Sequence, residues 1–176
     1  VVGSGEKMNE YNLSRTSYTA NLVANDPTVE SLHKRIAKYL GLNIKKGESL
    51  QGQRYEVGQY FRDHQDYFKG DSYQRNCLSS GNRTYTFMLY LNHNFEGGST
   101  NFPHLKKEIK PEQGKAVVWN NLQHGHINEY MTHGGTEVTY GTKYIITSWW
   151  RENQWDGAGD QKEYEKKLKS KQLSII

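Results

Sequence analysis

The run Arg62-Asp63-His64-Gln65-Asp66 sets an imidazole and a carboxylate two residues apart. On an extended backbone such a pair points to one face and can share one ion. Seven histidines in 176 residues make this spacing easy to meet by chance, so it gains weight only from a third ligand. His133, far downstream, is the candidate, with Lys143 ten residues beyond it and Trp149, Trp150 and Arg151 following. Two imidazoles and one carboxylate on one face of an octahedral ion leave three positions open, the arrangement that non-haem iron(II) oxygenases use. A 2-oxo acid chelates such an ion through its carboxylate and keto oxygen, and the last position admits oxygen. The far carboxylate of a five-carbon acid then needs a cation, and Lys143 is the residue placed to supply it.

Other readings of the same residues stand beside these. Asp63 adjoins His64, but its side chain should project to the opposite face of a strand. His124 and His126 form a second His-x-His pair, and with His133 they could make a zinc site, although no cysteine or suitably spaced carboxylate joins them. His33, His93 and His104 read as surface or packing residues. Lys143 could simply snorkel at the start of the apolar strand Tyr144-Ile145-Ile146. Trp149 and Trp150 must point to opposite faces of a strand, so one belongs to the core whatever the function.

The elements that would position these residues are mostly strands. Asp26-Pro27-Thr28 reads as a helix start, and Val29, Leu32, Ile36 and Leu40 give it an apolar stripe that Gly41 ends. From Leu50 onward Tyr, Val, Thr, Phe and Trp occur in short runs separated by Gly and Asn. Residues 51–61, 84–92, 115–120 and 142–150 are the expected strands, with turns at Glu96-Gly97-Gly98-Ser99 and His133-Gly134-Gly135. The length fits one domain across residues 1–176, of mainly β structure with flanking helices. A polar segment from about 157 to 176 carries Lys162, Lys166, Lys167, Lys169 and Lys171 among Glu163 and Glu165, the pattern of a solvated helix face.

One cysteine, Cys77, excludes an internal disulfide framework and favours a reducing compartment. No apolar run is long enough to span a bilayer, so a soluble, cytoplasmic protein is expected, and no membrane partner. The chain opens Val1-Val2-Gly3-Ser4-Gly5 without methionine, which leaves room for a leader or a preceding segment. A net charge of +4 and a pI near 9.0 permit a nucleic-acid partner, but the basic residues form no single stripe and none is expected.

Several further motifs occur in order along the chain. They are Arg15-Thr16-Ser17, Glu48-Ser49-Leu50-Gln51, Arg54-Tyr55 with Gly58-Gln59, His64-Gln65-Asp66, Arg83 with Thr86, and Tyr90-Leu91-Asn92. Then come Glu96 to Pro103, Pro111 with Gly114, His133, Gly141-Thr142-Lys143-Tyr144 and Trp149. Taken together, from Arg15 to Arg151, the chain resembles the prolyl 4-hydroxylase family of Fe(II)/2-oxoglutarate-dependent dioxygenases. The resemblance implies a double-stranded β-helix, a jelly roll of the cupin-like kind, with three iron ligands at one open end. It implies hydroxylation of a peptidyl proline to 4-hydroxyproline, with Fe(II), 2-oxoglutarate and O2 as cofactors, ascorbate as a supporting reductant, and succinate and CO2 as products. By position it gives Tyr55 a hydrogen bond to the cosubstrate, Lys143 its distal carboxylate, and Glu48, Arg83 and Trp149 the peptide. Judged singly, Arg83 and Glu48 would be ordinary surface charges.

The chain departs from that family at Phe61, where a tyrosine usually stands three residues before the first iron-binding histidine, and at Ser99 in the Gly-Gly-Ser-Thr turn. The first change bears on substrate preference. Alternatives therefore remain open: another side chain, a free amino acid or a methylated nucleobase as substrate, or a jelly roll that binds without turnover.

Overall fold

The computed structural model describes residues 14–155 and Gly157. In chain order its strands are β1 (Tyr18–Asn21), β2 (Gln51–Tyr55), β3 (Phe61–His64), β4 (Arg83–Tyr90), β5 (Phe95–Gly97), β6 (Thr100–Phe102) and β7 (Lys107–Ile109). They continue with β8 (Ala116–Asn120), β9 (Leu122–Gln123), β10 (His126–Ile127), β11 (His133–Gly135), β12 (Val138–Gly141) and β13 (Lys143–Arg151). Helix α1 (Pro27–Leu40) precedes β2, and the short α2 (Gly70–Asn76) precedes β4.

Local chemistry sets the helix where the sequence indicates it. The Asp26 carboxylate accepts from the backbone N–H of Thr28 and Val29, satisfying donors that the first turn leaves open, and Gly41 ends the helix in the left-handed conformation. Ile36 and Ala37 turn inward against Leu50, Phe87, Ile146 and Trp150. This clamps α1 to the outer face of a five-stranded sheet ordered β1-β2-β13-β4-β8.

The inner face of that sheet looks onto a four-stranded sheet ordered β3-β11-β6-β7, and all the pairings are antiparallel. Tyr55, Met88, Tyr90, Phe102, Trp119, Val138 and Ile145 fill the space between the two sheets. Two antiparallel sheets packed face to face in this way form the expected jelly roll. The alternation of β13 divides its aromatic pair as expected: Trp150 packs under α1, while Trp149 shares the inner side with Lys143, Ile145 and Thr147.

Two sequence expectations need correction. Residues 51–61 are not one strand, because the chain turns at Gly58 (φ +82°) and crosses from β2 in one sheet to β3 in the other. His133-Gly134-Gly135 is not a turn but an inner strand of the four-stranded sheet. Gly134 is needed there for close packing, since a Cβ on it would lie 3.0 Å from the carbonyl oxygen of Phe61. The other three expected strands correspond to β4, β8 and β13 within two residues. The charged segment that follows lies, apart from Gly157, outside the described residues. No helix among the described residues is long and apolar enough to cross a membrane.

Candidate active site

β3 ends at His64 and β11 begins at His133, and the two residues are register partners across that pair of strands. Asp66, just past the end of β3, turns into the space between them. Its Oδ1 lies 3.6 Å from His64 Nε2 and its Oδ2 lies 3.6 Å from His133 Nε2. The potential ligand atoms of the three residues all fall within 4.8 Å of one another, and no other such cluster of His, Cys, Asp or Glu occurs among the described residues.

Both imidazoles are set for this arrangement by their other nitrogen. Nδ1 of His64 lies 2.8 Å from the Arg62 carbonyl oxygen, and Nδ1 of His133 lies 2.9 Å from that of Met131. A carbonyl can only accept, so each Nδ1 carries a proton, which leaves Nε2 as the atom each ring can offer to a metal. Burial lowers the His133 imidazole from its ordinary range, with the Asp66 carboxylate opposing that shift. Burial would raise the Asp66 carboxyl, but His133, His64 and Arg83 outweigh it and hold the group well below the usual carboxylate range. Two imidazoles that can offer Nε2 and one carboxylate make a suitable donor set for a divalent first-row metal.

Phe61 stacks on the His64 ring with centroids 3.6 Å apart and planes 18° from parallel, and the Arg15 guanidinium caps the other side of Phe61 at 5.2 Å. Trp119 closes against His133 at 4.5 Å, and Phe102 lies beside both. A narrow cleft lined by the three ligands also takes in Tyr55, Trp119, Lys143 and Trp149. Lys143 lies on its wall, 2 % exposed, and its ammonium donates to the Gly98 carbonyl at 2.7 Å. Tyr55, its register partner on β2, and Tyr90 lie 4.9 Å and 5.4 Å from Nζ. Burial pushes the Lys143 ammonium down to about 8 and the Tyr55 hydroxyl up, so Tyr55 is a neutral phenol able to donate.

The residues expected to meet a peptide fall into two groups. Trp149 borders the cleft, with the Arg83 guanidinium stacked 4.0 Å from its ring centre. Glu48 is only 7 % exposed, and both its oxygens are engaged: Arg83 donates through Nε and Nη2 at 2.7 Å each, and Arg151 through Nε at 2.5 Å. Burial raises the Glu48 carboxyl, but the two guanidiniums lower it further, so it stays an anion. From this position Glu48 holds Arg83 in place beside Trp149.

The alternatives weighed from sequence sort themselves by geometry. His124 and His126 are exposed at the turn between β9 and β10 and do not join His133, so they form no zinc site with it. Asp63 packs beside Gly134, away from the ligand cluster. His33 packs on Trp150, His104 on Tyr130, and His93 is exposed.

Residues 50–151 match the 2OG-Fe(II) oxygenase superfamily. The chain belongs to that superfamily. Its relatives include prolyl 4-hydroxylase 1 of Arabidopsis thaliana, 34 % identical over 140 residues, which covers 72 % of this chain and 48 % of the plant protein. They also include prolyl 4-hydroxylase subunit alpha-3 of Homo sapiens, 32 % identical over 154 residues, covering 85 % of this chain and 28 % of the human one. The chain thus spans half or less of the length of these two relatives. Among solved structures it is similar to the viral collagen prolyl hydroxylase of Paramecium Bursaria Chlorella virus-1 in its 2-oxoglutarate complex. That likeness has a TM-score of 0.67 with 27 % identity, and covers 78 % of this chain and 80 % of the viral one.

Fe(II) and 2-oxoglutarate are this superfamily's metal and cosubstrate, and the oxygenase's residues fit both. The donor set suits the metal. The indole N–H groups of Trp119 and Trp149, both on the cleft wall, are buried without a hydrogen-bond acceptor, and a bound oxygen-rich acid would supply acceptors.

Proposed function

We propose that this chain hydroxylates a peptidyl proline, with iron(II) held by His64 Nε2, Asp66 and His133 Nε2. The observation that carries this reading is the convergence of two imidazole Nε2 atoms and one carboxylate on a cleft whose wall holds a buried lysine. When bound, the iron and 2-oxoglutarate supply the oxidising chemistry, in which O2 converts the cosubstrate to succinate and CO2 and leaves one oxygen atom for the substrate.

The protein's own contribution is placement. Lys143 pairs with the distal carboxylate of 2-oxoglutarate, and Tyr55 donates a hydrogen bond to it from the opposing strand. Phe102 and Trp119 pack against the His133 ring and would shield it from water when it holds a metal. Trp149 offers a flat apolar face for a proline ring, and Arg83, held by Glu48, offers donors for the peptide carbonyls. The likeness to the viral and plant prolyl hydroxylases supports this reading.

Release of succinate in the presence of iron(II), 2-oxoglutarate and ascorbate tests this directly. It should be stimulated by a proline-rich peptide and not by a methylated oligonucleotide. Stimulation by the oligonucleotide alone would move the substrate class to nucleic acid. A chain that bound no iron and consumed no 2-oxoglutarate would be a jelly roll used for binding only.

A further inference from the structure

Thr86, which appears above only as a motif residue with Arg83, and Asn121 have been given no role, yet both are almost fully buried, at 0 % and 1 % exposure, directly behind Asp66. The Asn121 amide Nδ2 donates to Thr86 Oγ1 at 2.9 Å, and Thr86 Oγ1 donates to Asp66 Oδ2 at 2.7 Å. The direction of this chain follows from the groups. An amide N–H can only donate, so Thr86 accepts there and its single hydroxyl proton goes to the carboxylate. Turning the Asn121 amide over would set its oxygen against the hydroxyl and compete with the Asp66 anion for that one proton.

The backbone of Asn121 reaches toward the other buried ligand. Its carbonyl accepts from Asn128 N–H at 2.9 Å, the Asn128 carbonyl accepts from Met131 N–H at 3.1 Å, and the Met131 carbonyl accepts from His133 Nδ1. Asn121 is itself fixed to β4 by its own N–H, which donates to the Thr84 carbonyl at 2.7 Å. Register reinforces the placement, because Thr86 pairs with Trp149 on one side and Trp119 on the other, at the centre of the inner sheet face.

We propose that Thr86 and Asn121 are positioning residues for the metal: the Asn121 amide commits the Thr86 hydroxyl proton to Asp66 Oδ2 and so fixes the plane of the carboxylate toward the two imidazoles. This rests on the reading of His64, Asp66 and His133 as metal ligands. A hydrogen bond to a ligating carboxylate restricts its rotation before the metal arrives, so its loss should appear as weaker metal binding, by roughly 10–100-fold.

The test is titration of the metal-free protein with Co(II), followed by the visible absorption of the bound ion and by calorimetry. The wild type should bind one ion, Asp66→Ala should lose it, and Thr86→Val, which keeps the shape but removes the hydroxyl, should bind at least about tenfold more weakly. Thr86→Ser, which restores the hydroxyl, should recover most of the affinity, a recovery that a purely structural role for the threonine methyl would not give. If Thr86→Val loses its cooperative melt, Asn121→Ala carries the test, because it leaves Thr86 in place and frees its proton to turn away. Equal Co(II) affinity in the wild type and in whichever of these two variants folds would overturn the inference while leaving the metal site intact. Absence of Co(II) binding in the wild type would overturn the metal site itself, and the inference with it.

Discussion

Lys143 and Tyr55 face each other across the β2–β13 pair, with the lysine ammonium 4.9 Å from the phenol ring centre and held by the Gly98 carbonyl. The buried cation lies among two tyrosine rings and a carbonyl dipole, and no carboxylate is paired with it among the described residues. That leaves its charge available for a dianionic cosubstrate.

Burial holds the Lys143 ammonium near 8, so without cosubstrate it loses its proton as pH rises through that value. Affinity for 2-oxoglutarate, measured calorimetrically, should therefore fall above about pH 8, by up to roughly tenfold per pH unit. Lys143→Arg should flatten the profile. The stability of the unliganded chain moves the other way. The ordinary value of 10.5 applies to the unfolded lysine, so the unfolded state binds the proton more tightly than the folded state. Stability should rise between about 8 and 10.5, and subtraction of a Lys143→Met melting series at the same pH values would isolate this contribution.

Gly98 is the second part of this arrangement. It has a φ of +62°, and a Cβ there would sit 2.9 Å from Lys143 Cδ and 3.0 Å from Phe95 Cε2. Gly98→Ala is expected to cost about 1–2 kcal/mol in stability from the backbone conformation alone. It should also displace the lysine. Cosubstrate affinity should drop while Co(II) affinity stays near that of the wild type, a split that paired titrations would reveal.

Glu48→Gln would leave the buried Arg151 and half-buried Arg83 guanidiniums around a neutral amide. Loss of one partner in a buried ionic cluster costs about 3–5 kcal/mol, and chemical denaturation should show a loss of that order. In the wild type, the folded-state carboxyl titrates below its ordinary value because of Arg83 and Arg151. The stabilisation is therefore fully present above about 4.5 and is lost as pH falls through the lower folded value. Glu48→Gln should remove this acid-side dependence, which acid melting of the two proteins would check.

Trp149→Ala should raise the KM for a proline-rich peptide by roughly tenfold or more, since the indole carries both the flat apolar face and the stack that steadies Arg83. Steady-state kinetics should show the 2-oxoglutarate requirement nearly unchanged. An effect confined to the cosubstrate would assign Trp149 to the other end of the cleft.

The parts of this site that were legible in the sequence rest on local geometry. His64 and Asp66 converge because residues two apart on extended chain share a face, and α1 spans Pro27–Leu40 because Asp26 is a strong start signal and Gly41 a strong stop signal. Trp149 and Trp150 separate by the same alternation. Glu48 was different: its partners lie 35 and 103 residues away, and nothing local distinguishes a buried anion from a surface one. Thr86 stands out in the sequence only as a motif residue with Arg83, and Asn121 not at all; neutral polar residues at a strand centre and a strand end reveal no role without their partners. The break at Gly58 and the strand at Gly134 show the same limit from the backbone side. Glycine serves a turn, a crossover or a close approach between strands equally well, and only the packed sheets decide which.

On the proposed reading, the His64, Asp66 and His133 centre uses 2-oxoglutarate to place one oxygen atom on a peptidyl proline. Mass spectrometry of a proline-rich peptide after incubation with the protein, iron(II), ascorbate and 2-oxoglutarate, with succinate measured in the same sample, tests it most directly. The expected result is gain of one oxygen atom on proline with matching succinate, and neither product from Asp66→Ala. Unmodified peptide from wild-type protein that has bound iron, or an equal yield from Asp66→Ala, would contradict it.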